Sequence, residues 1–456
     1  MIVIKFGGTS MESAAAIGRA ASIVRSQLGQ RPVVVVSAMG RTTNALLQIA
    51  ADVSGGARGA ALARLAALRE YHSREGLLLC ANSHRAEMEA FLHAQFQEIE
   101  QAVCNLFAAG QISPCSLDAL ASFGERLSSQ IAALAFQERG IPCVHLDARR
   151  LIVTDRRHTQ ALPDLSESYS RTACAISRLE PDQVPVLGGF IAATPEGVTT
   201  TLGRGGSDFT ASLVGAALGA EEIQIWTDVD GILTSDPTLV PEARPIRILS
   251  FDEAAELAYF GAKVLHPATV FPAREKNIPV RIKNSRRPEA RGTRIVAGPV
   301  PCANPLKSVA CKRDITVLTV HSTRMLMAYG FLHRIFEVFD RRETPVDLLA
   351  TSEVSVSLTV DSTARLDETC ADLAPFAEVA VERDQAILCA VGDGLGFTPG
   401  VAARLFGALQ DVNVRMISQG ASHRNLSLVV AAQDLPRAAT SVHREFFAQL
   451  DPAVFD

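Results

Sequence analysis

The first residues with chemical promise are a lysine and a glycine pair at the end of a short apolar run, Ile2-Val3-Ile4-Lys5-Phe6-Gly7-Gly8-Thr9-Ser10. Paired glycines let a ligand approach the backbone, and N–H groups at a helix start favour anions. Lys5 leaves the strand just before them, where an ammonium can neutralise charge on a transferring phosphoryl group. Taken alone, the pattern fits an ordinary strand-to-helix turn equally well. A second cluster is Thr199-Thr200-Thr201-Leu202-Gly203-Arg204-Gly205-Gly206-Ser207-Asp208. It opens a helix expected over 207–218, with Ser207 or Asp208 as its cap. Gly203, Gly205 and Gly206 isolate Arg204, whose planar guanidinium suits bidentate capture of a carboxylate or phosphate. A third cluster, from Trp226 to Pro237, carries Thr227, Asp228, Gly231 and Asp236. Following a strand, it is expected at the carboxyl end of a parallel sheet, where open α/β sheets hold nucleotides. Its Asp residues suit either water-mediated Mg2+ contacts or turn capping, and turn roles are favoured for some of them.

Two familiar phosphate-transfer signatures are absent. The chain has no Gly-x-x-x-x-Gly-Lys-Ser/Thr loop and no His-Arg-Asp kinase set. An acceptor carboxylate would explain the lack of a dedicated base. It is ionised at neutral pH, since its reference pKa is about 4. The protein then needs only to position the reactants and neutralise charge.

The elements that must position these residues alternate. Apolar runs at 2–5, 33–37, 142–146, 184–187 and 222–227 read as buried strands between amphipathic helices, which points to a mostly parallel sheet covered on both faces. Residues 59–110 read as a helical excursion around the substrate pocket. A turn-rich stretch at 284–305 reads as a linker. Beyond it the chain repeats a strand–helix–strand–strand pattern at an offset of about seventy residues, the mark of a duplicated α+β module with an antiparallel sheet. The expected domains are 1–294 and 306–456, the second divided at about 315–385 and 386–456. The strand at 306–311 is a candidate to interleave with them.

Bulk properties set the class. A chain of 456 residues usually needs more than one core, and 48% hydrophobic with 20% charged residues is a soluble globular profile. A net charge of −5 offers no basic face for nucleic acid. No apolar run is long enough to span a bilayer, and the N-terminus lacks the features of a signal peptide, so a cytoplasmic protein without membrane partners is expected. The nine Cys form no Cys-x-x-Cys pair, which favours free thiols over disulfides or zinc, and no protein-built metal site is expected.

Together the three clusters resemble the amino-acid kinase family, and within it the aspartokinases. Ser122-Phe123-Gly124-Glu125-Arg126-Leu127-Ser128-Ser129 is similar to that family's substrate segment. Gly188-Gly189-Phe190-Ile191 leading into 199–208, and Phe260-Gly261-Ala262-Lys263-Val264-Leu265-His266-Pro267, match further stretches. The resemblance covers nearly the whole chain. It implies that Lys5 and Asp208 lie at the reacting phosphoryl group. Thr43, Glu125, Arg204 and Ser207 would serve L-aspartate, with Arg204 on the α-carboxylate and Glu125 on the amino group. Gly7, Gly8, Ser10 and Ser207 would line the phosphate path. Thr227, Asp228, Gly231, Asp236 and Lys263 would contact ATP, delivered with Mg2+. Thr238 and Leu233 stand where many members have Arg and Tyr.

The repeated C-terminal modules resemble paired ACT units, which bind amino acids. Met325, Gly330, Phe331, Leu332, Val346, Asp347, Thr351, Ser352 and Glu353 resemble the effector site of lysine-inhibited aspartokinases. Asp347 would pair with an effector ammonium, and backbone groups near 330–332 with its carboxylate. Ala328 replaces a typical hydroxyl residue. Lysine is the expected effector, threonine the alternative, and pairing of ACT units implies a homodimer or larger assembly. Because the sequence stops at Asp456, no fused dehydrogenase is expected. The competing expectations are a sibling kinase acting on acetylglutamate, glutamate or a carbamate, and a decayed kinase retained as an amino-acid sensor.

Overall fold

The computed structural model describes every residue except 82, 262–266 and 323–328. The chain divides into two units, Met1–Ile232 with Leu265–Ala297, and Leu233–Val264 with Gly298–Asp456.

The first unit is built on a buried, mainly parallel sheet. Its strands include β1 (Ile2–Phe6), β2 (Pro32–Val36), β3 (Cys143–Leu146), β4 (Val184–Gly188) and, beyond a short hairpin of β5 (Ile191–Ala193) and β6 (Thr199–Thr201), β7 (Glu222–Thr227). All five residues of β1 are buried. It pairs in parallel with β2 on one side and β7 on the other. β2 continues in parallel to β4 and β4 to β3, while β7 continues to Val280–Asn284. Thr293–Val296 then closes this unit's run in antiparallel sense. Apolar, β-branched strands of this kind fit a sheet covered by helices on both faces. Strand order reverses at β1, so the turns after β1, β2, β4 and β7 gather at the carboxyl ends of the sheet.

The 59–110 region forms two long helices, Arg58–Leu79 and Arg85–Ala109. They do not surround the cavity described below, and none of their side chains line it. Their apolar stripes, including Leu65, Leu68, Met88, Leu92 and Phe96, join the core instead. Their polar residues brace nearby turns. Glu75 accepts from the N–H of Ala14 at 2.8 Å, and Tyr71 donates to the Glu12 carbonyl at 2.7 Å.

In the second unit six strands run antiparallel, in the order Leu349–Thr351, Ser355–Val360, Ser308–His321, Glu378–Val391, Asn425–Ala431, Val414–Gln419. Helices Phe331–Arg341 and Leu435–Phe447 are strongly amphipathic, with buried stripes of Phe331, Ile335, Val338 and Phe339 in one and Ala438, Val442, Phe446 and Phe447 in the other. The strand expected at 346–349 begins only at Leu349. Before it, Asp347 N–H donates to the Thr359 carbonyl at 2.9 Å, a contact outside the regular ladder. The long strand Ser308–His321 changes register between Lys312 and Ile315. Its first part pairs with 387–391 and its second with 378–382.

Candidate active site

The cavity lies in the first unit, has a volume of about 340 Å3 and opens at the sheet's carboxyl ends. Lys5, Gly8, Thr43, Glu125, Ser207 and Asp208 line it together. Lys5 is 8% exposed, held by its position inside β1, and its Nζ lies 2.6 Å from Asp208 Oδ1. This is an ion pair not aligned as a hydrogen bond. Asp208 sits in the first turn of helix Gly206–Leu218, where a carboxylate suits the helix dipole. The cap of that helix is not Ser207 or Asp208. Gly205, at φ +73°, occupies the cap position without any side-chain hydrogen bond. The glycine takes the left-handed turn that leads in, leaving both polar side chains to face the cavity.

Glu125 also lines the cavity, in the first turn of helix Phe123–Glu138. It is 3% exposed. One carboxyl oxygen accepts from the Ala38 N–H at 3.1 Å, and the other has no partner. Burial pushes its pKa up to about 8, against the pull of the Ala38 N–H and of Lys5. A buried carboxyl oxygen without a donor is costly, and it is satisfied if a ligand brings an ammonium. The cavity therefore offers a cationic group for phosphoryl oxygens and an acidic group for an amine.

The second glycine cluster follows β6. Gly203 and Gly205 adopt φ +74° and +73°, conformations that favour glycine. Both line the cavity, but Arg204 between them is exposed and does not. It makes no ion pair among the described residues. The base of this loop is fixed by Asp118, a residue the sequence did not single out. Asp118 is 1% exposed and accepts from Thr201 Oγ1 at 2.5 Å, Thr159 N–H at 3.0 Å and His158 Nδ1 at 2.8 Å. Gly189 must be glycine, because a Cβ there would lie 2.6 Å from the Ser207 backbone. Phe190 lines the cavity at φ +65° and donates its N–H to Thr210 Oγ1 at 3.0 Å. Nothing in the sequence foretold a left-handed phenylalanine.

Ser37, Ala38, Gly40, Arg41 and Asn44 also line the cavity and were missed as site residues. The available signal was a second strand that ends in small residues and enters a helix, as β1 does.

The remaining expected residues have varied placements. Gly7 donates its N–H to the Trp226 carbonyl at 3.0 Å. Ser10 is buried, donating to the Trp226 carbonyl at 3.2 Å and to Ser285 Oγ at 2.8 Å. Neither Gly7 nor Ser10 lines the cavity; they tie the β1 turn to β7. Thr227 and the exposed Asp228 share a hydrogen bond of 3.2 Å at the end of β7. Gly231 is packed so tightly that a Cβ would lie 2.4 Å from Thr293 Oγ1. Asp236, in the second unit, accepts from Thr238 N–H at 2.8 Å and Oγ1 at 2.7 Å, a turn-capping role. Lys263 and Met325 lie outside the described residues, as does Ala328. Among the described residues no group of three or more His, Cys, Asp or Glu side chains is arranged to hold a metal ion.

In the second unit, Gly330 at φ +77° caps helix Phe331–Arg341. Phe331 is core, while Leu332 is 39% exposed. Val346 is partly buried against that core. Thr351 ends its strand, and Ser352 N–H donates to the Ser355 carbonyl at 2.8 Å in the turn holding Glu353. Asp347, expected to pair with an effector ammonium, is already paired within the chain. Lys312 Nζ lies 2.7 Å from its Oδ1, and Tyr259 donates to the same atom at 3.3 Å.

A buried ammonium–carboxylate pair beside glycine-lined turns, at the carboxyl ends of a mainly parallel sheet, makes a site of the phosphoryl-transfer class. The amino acid kinase family model matches residues 1–284, and an ACT domain model matches 388–446. Aspartokinase 1, chloroplastic, of Arabidopsis thaliana is 38% identical, covering 98% of this chain and 80% of the relative. Lysine-sensitive aspartokinase 3 of Escherichia coli K12 is 36% identical, covering 98% of this chain and 99% of the relative. The crystal structure of E. coli aspartokinase III with aspartate and ADP matches with a TM-score of 0.83 at 36% identity, over 98% of this chain and 100% of that one. The same enzyme with lysine and aspartate matches with a TM-score of 0.85 at 36% identity, over 98% and 99%. The chain belongs to the aspartokinases of the amino acid kinase family.

Proposed function

We propose that this chain transfers the γ-phosphoryl group of Mg–ATP to the side-chain carboxylate of L-aspartate, under feedback control by lysine. The observation that carries the catalytic reading is the shared cavity of the Lys5–Asp208 pair and the orphaned Glu125 oxygen. A β-carboxylate oxygen of aspartate attacks the γ phosphorus. The bond from that phosphorus to the βγ-bridging oxygen breaks, and its electron pair leaves with ADP. No proton moves, so no general base is required. Lys5 neutralises charge on the transferring group, with Asp208 orienting its ammonium. Gly8, Ser207 and the N–H groups opening helix Gly206–Leu218 face the phosphate path. Glu125 takes the substrate ammonium, Thr43 borders the acceptor, and Arg204 swings on its two flanking glycines to hold the α-carboxylate. Thr227, Asp228, Gly231, Asp236 and Lys263 serve the nucleotide. Mg2+ arrives with ATP, needing few protein ligands because phosphates supply most of its oxygens. The proposed organisation is a catalytic domain over 1–294 and two ACT units over 306–456, with a homo-oligomer formed through the latter. The proposed setting is the cytoplasm. No described helix is long and apolar enough to cross a membrane.

The deciding experiment is ATP-dependent acyl hydroxamate formation from aspartate, glutamate, N-acetylglutamate and N-acetylaspartate. Aspartate is expected to win, and both acetylated acids are expected to fail because they bring no ammonium to Glu125. A preference for glutamate or an acetylated acid would sink the assignment.

Aspartate affinity should depend on pH through Glu125. In the empty cavity its carboxyl is held up to about 8, so below that pH it is protonated. An incoming ammonium favours the ionised form, and binding must then expel a proton. The aspartate Kd, measured by calorimetry, should rise by about fivefold as pH falls from 8 to 7 and by nearly tenfold from 7 to 6. Proton release on binding should grow from about half a proton at pH 8 to close to one at pH 7 and below, read from buffers of different ionisation enthalpy. A flat profile without proton release would exclude Glu125 as the ammonium partner.

A further inference from the structure

The second unit contains a built site for an alkylammonium, and the ammonium in it belongs to the chain itself. Lys312 Nζ lies 2.7 Å from Asp347 Oδ1 and 3.0 Å from Asp361 Oδ2. It also stands 5.6 Å from the centroid of the Tyr259 ring, within range of a cation–π contact. Tyr259 closes the cluster by donating its hydroxyl to Asp347 Oδ1 at 3.3 Å. Burial and the Asp347 charge push that hydroxyl up to about 12, so it remains a donor at neutral pH. Two carboxylates therefore share one ammonium. The Asp347 side chain is 7% exposed, and its Oδ2 is buried with no hydrogen-bond partner. The cage has more accepting capacity and more negative charge than its present occupant satisfies.

The backbone around Lys312 is irregular. The register of Ser308–His321 against Glu378–Val391 breaks between Lys312 and Ile315, with Asp314 at φ +60°. Such bulges re-aim a side chain out of the regular alternation of a strand. Tyr259 ends helix Phe251–Tyr259 and precedes Lys263, assigned above to ATP, by only four positions in the sequence.

We propose that Lys312 is a tethered plug in the ammonium subsite of the regulatory unit, and that an amino-acid effector binds by displacing it. The inference rests on the assignment of Asp347 to the effector and adds a built-in competitor to it. The plug sets the affinity of the sensor. A subsite open one-tenth of the time binds its ligand about tenfold more weakly than an open one. Displacement also removes the cation from the face of the Tyr259 ring.

The test is calorimetric titration of the full-length protein with L-lysine, in wild type, Lys312→Met, Lys312→Gln and Lys312→Arg. Both neutral variants should bind lysine at least about tenfold more tightly than wild type, with a matching fall in the concentration that half-inhibits the kinase. The Arg variant keeps a cation in the cage and should stay near wild type. Equal or weaker lysine binding by the neutral variants would overturn the plug, as would an Arg variant that binds as tightly as they do. A second arm uses n-butylammonium, which carries only the recognised group. It should raise the Tm of Lys312→Met and of Lys312→Gln but not of wild type, and Asp347→Ala added to either should abolish the rise. Failure of this arm overturns the cage itself. Its success in a protein that binds no lysine would support the cage and remove lysine as effector.

Discussion

Lys5→Met is expected to lower kcat by about 10²–10³-fold while leaving the aspartate KM within a few-fold of wild type. The size follows from removing one preorganised charge at the point where negative charge redistributes in the transition state. Lys5 is suited to this role because nothing about it has to reorganise. It is 8% exposed, its backbone is paired on both sides within β1, and its Nζ is steadied by Asp208 at 2.6 Å. Removing the lysine also leaves Asp208 without its counter-charge, so lost stability must be separated from lost chemistry. Lys5→Met combined with Asp208→Asn relieves the unpaired charge. It should recover thermal stability without recovering kcat. Wild-type turnover in Lys5→Met would show that the cavity is not where phosphoryl transfer takes place.

Arg204→Ala should produce the other large change, in a different kinetic constant. The aspartate KM should rise by about 30-fold or more, the lower end of the ~2–5 kcal/mol that truncation of a desolvated charge pair costs. The ATP KM should move by no more than a few-fold. This asymmetry follows from the loop. Arg204 is exposed and unpaired among the described residues, yet it lies between two left-handed glycines that themselves line the cavity. The hairpin feeding the loop is held by Asp118 through Thr201, so the base is rigid while the tip can turn. Pairing with a substrate carboxylate then orders a side chain that otherwise has no partner. Equal increases in both KM values would remove Arg204 from the acceptor site.

Much of the architecture was readable in advance because its causes are local. β-branched runs such as 33–36, ending in small residues, read as buried strands, and their alternation with helices implies a parallel sheet. The strand Glu222–Thr227 fell where it was expected. Helix Ala14–Ser26 is capped by Ser13, whose Oγ accepts from the Ala16 N–H at 3.2 Å. Other positions misled for equally physical reasons. Ser207 has the chemistry of a cap, but the backbone reaches that helix through a left-handed Gly205, which displaces it. Ser10 has the look of a phosphate ligand, but its hydroxyl is consumed by Trp226 and Ser285, the latter 275 residues away in the chain.

The sequence by itself determined the kinds of element, their order, and which residues carry charge near glycine turns, because periodicity and turn chemistry act between neighbours in the chain. The tertiary structure alone decided which of those turns meet. It brought Lys5 and Asp208 to 2.6 Å across two hundred residues, left one oxygen of Glu125 without a donor, and filled the cage around Asp347 with Lys312. Burial and pairing depend on what packs against a group from distant parts of the chain, and those two quantities convert an ordinary carboxylate into a binding site.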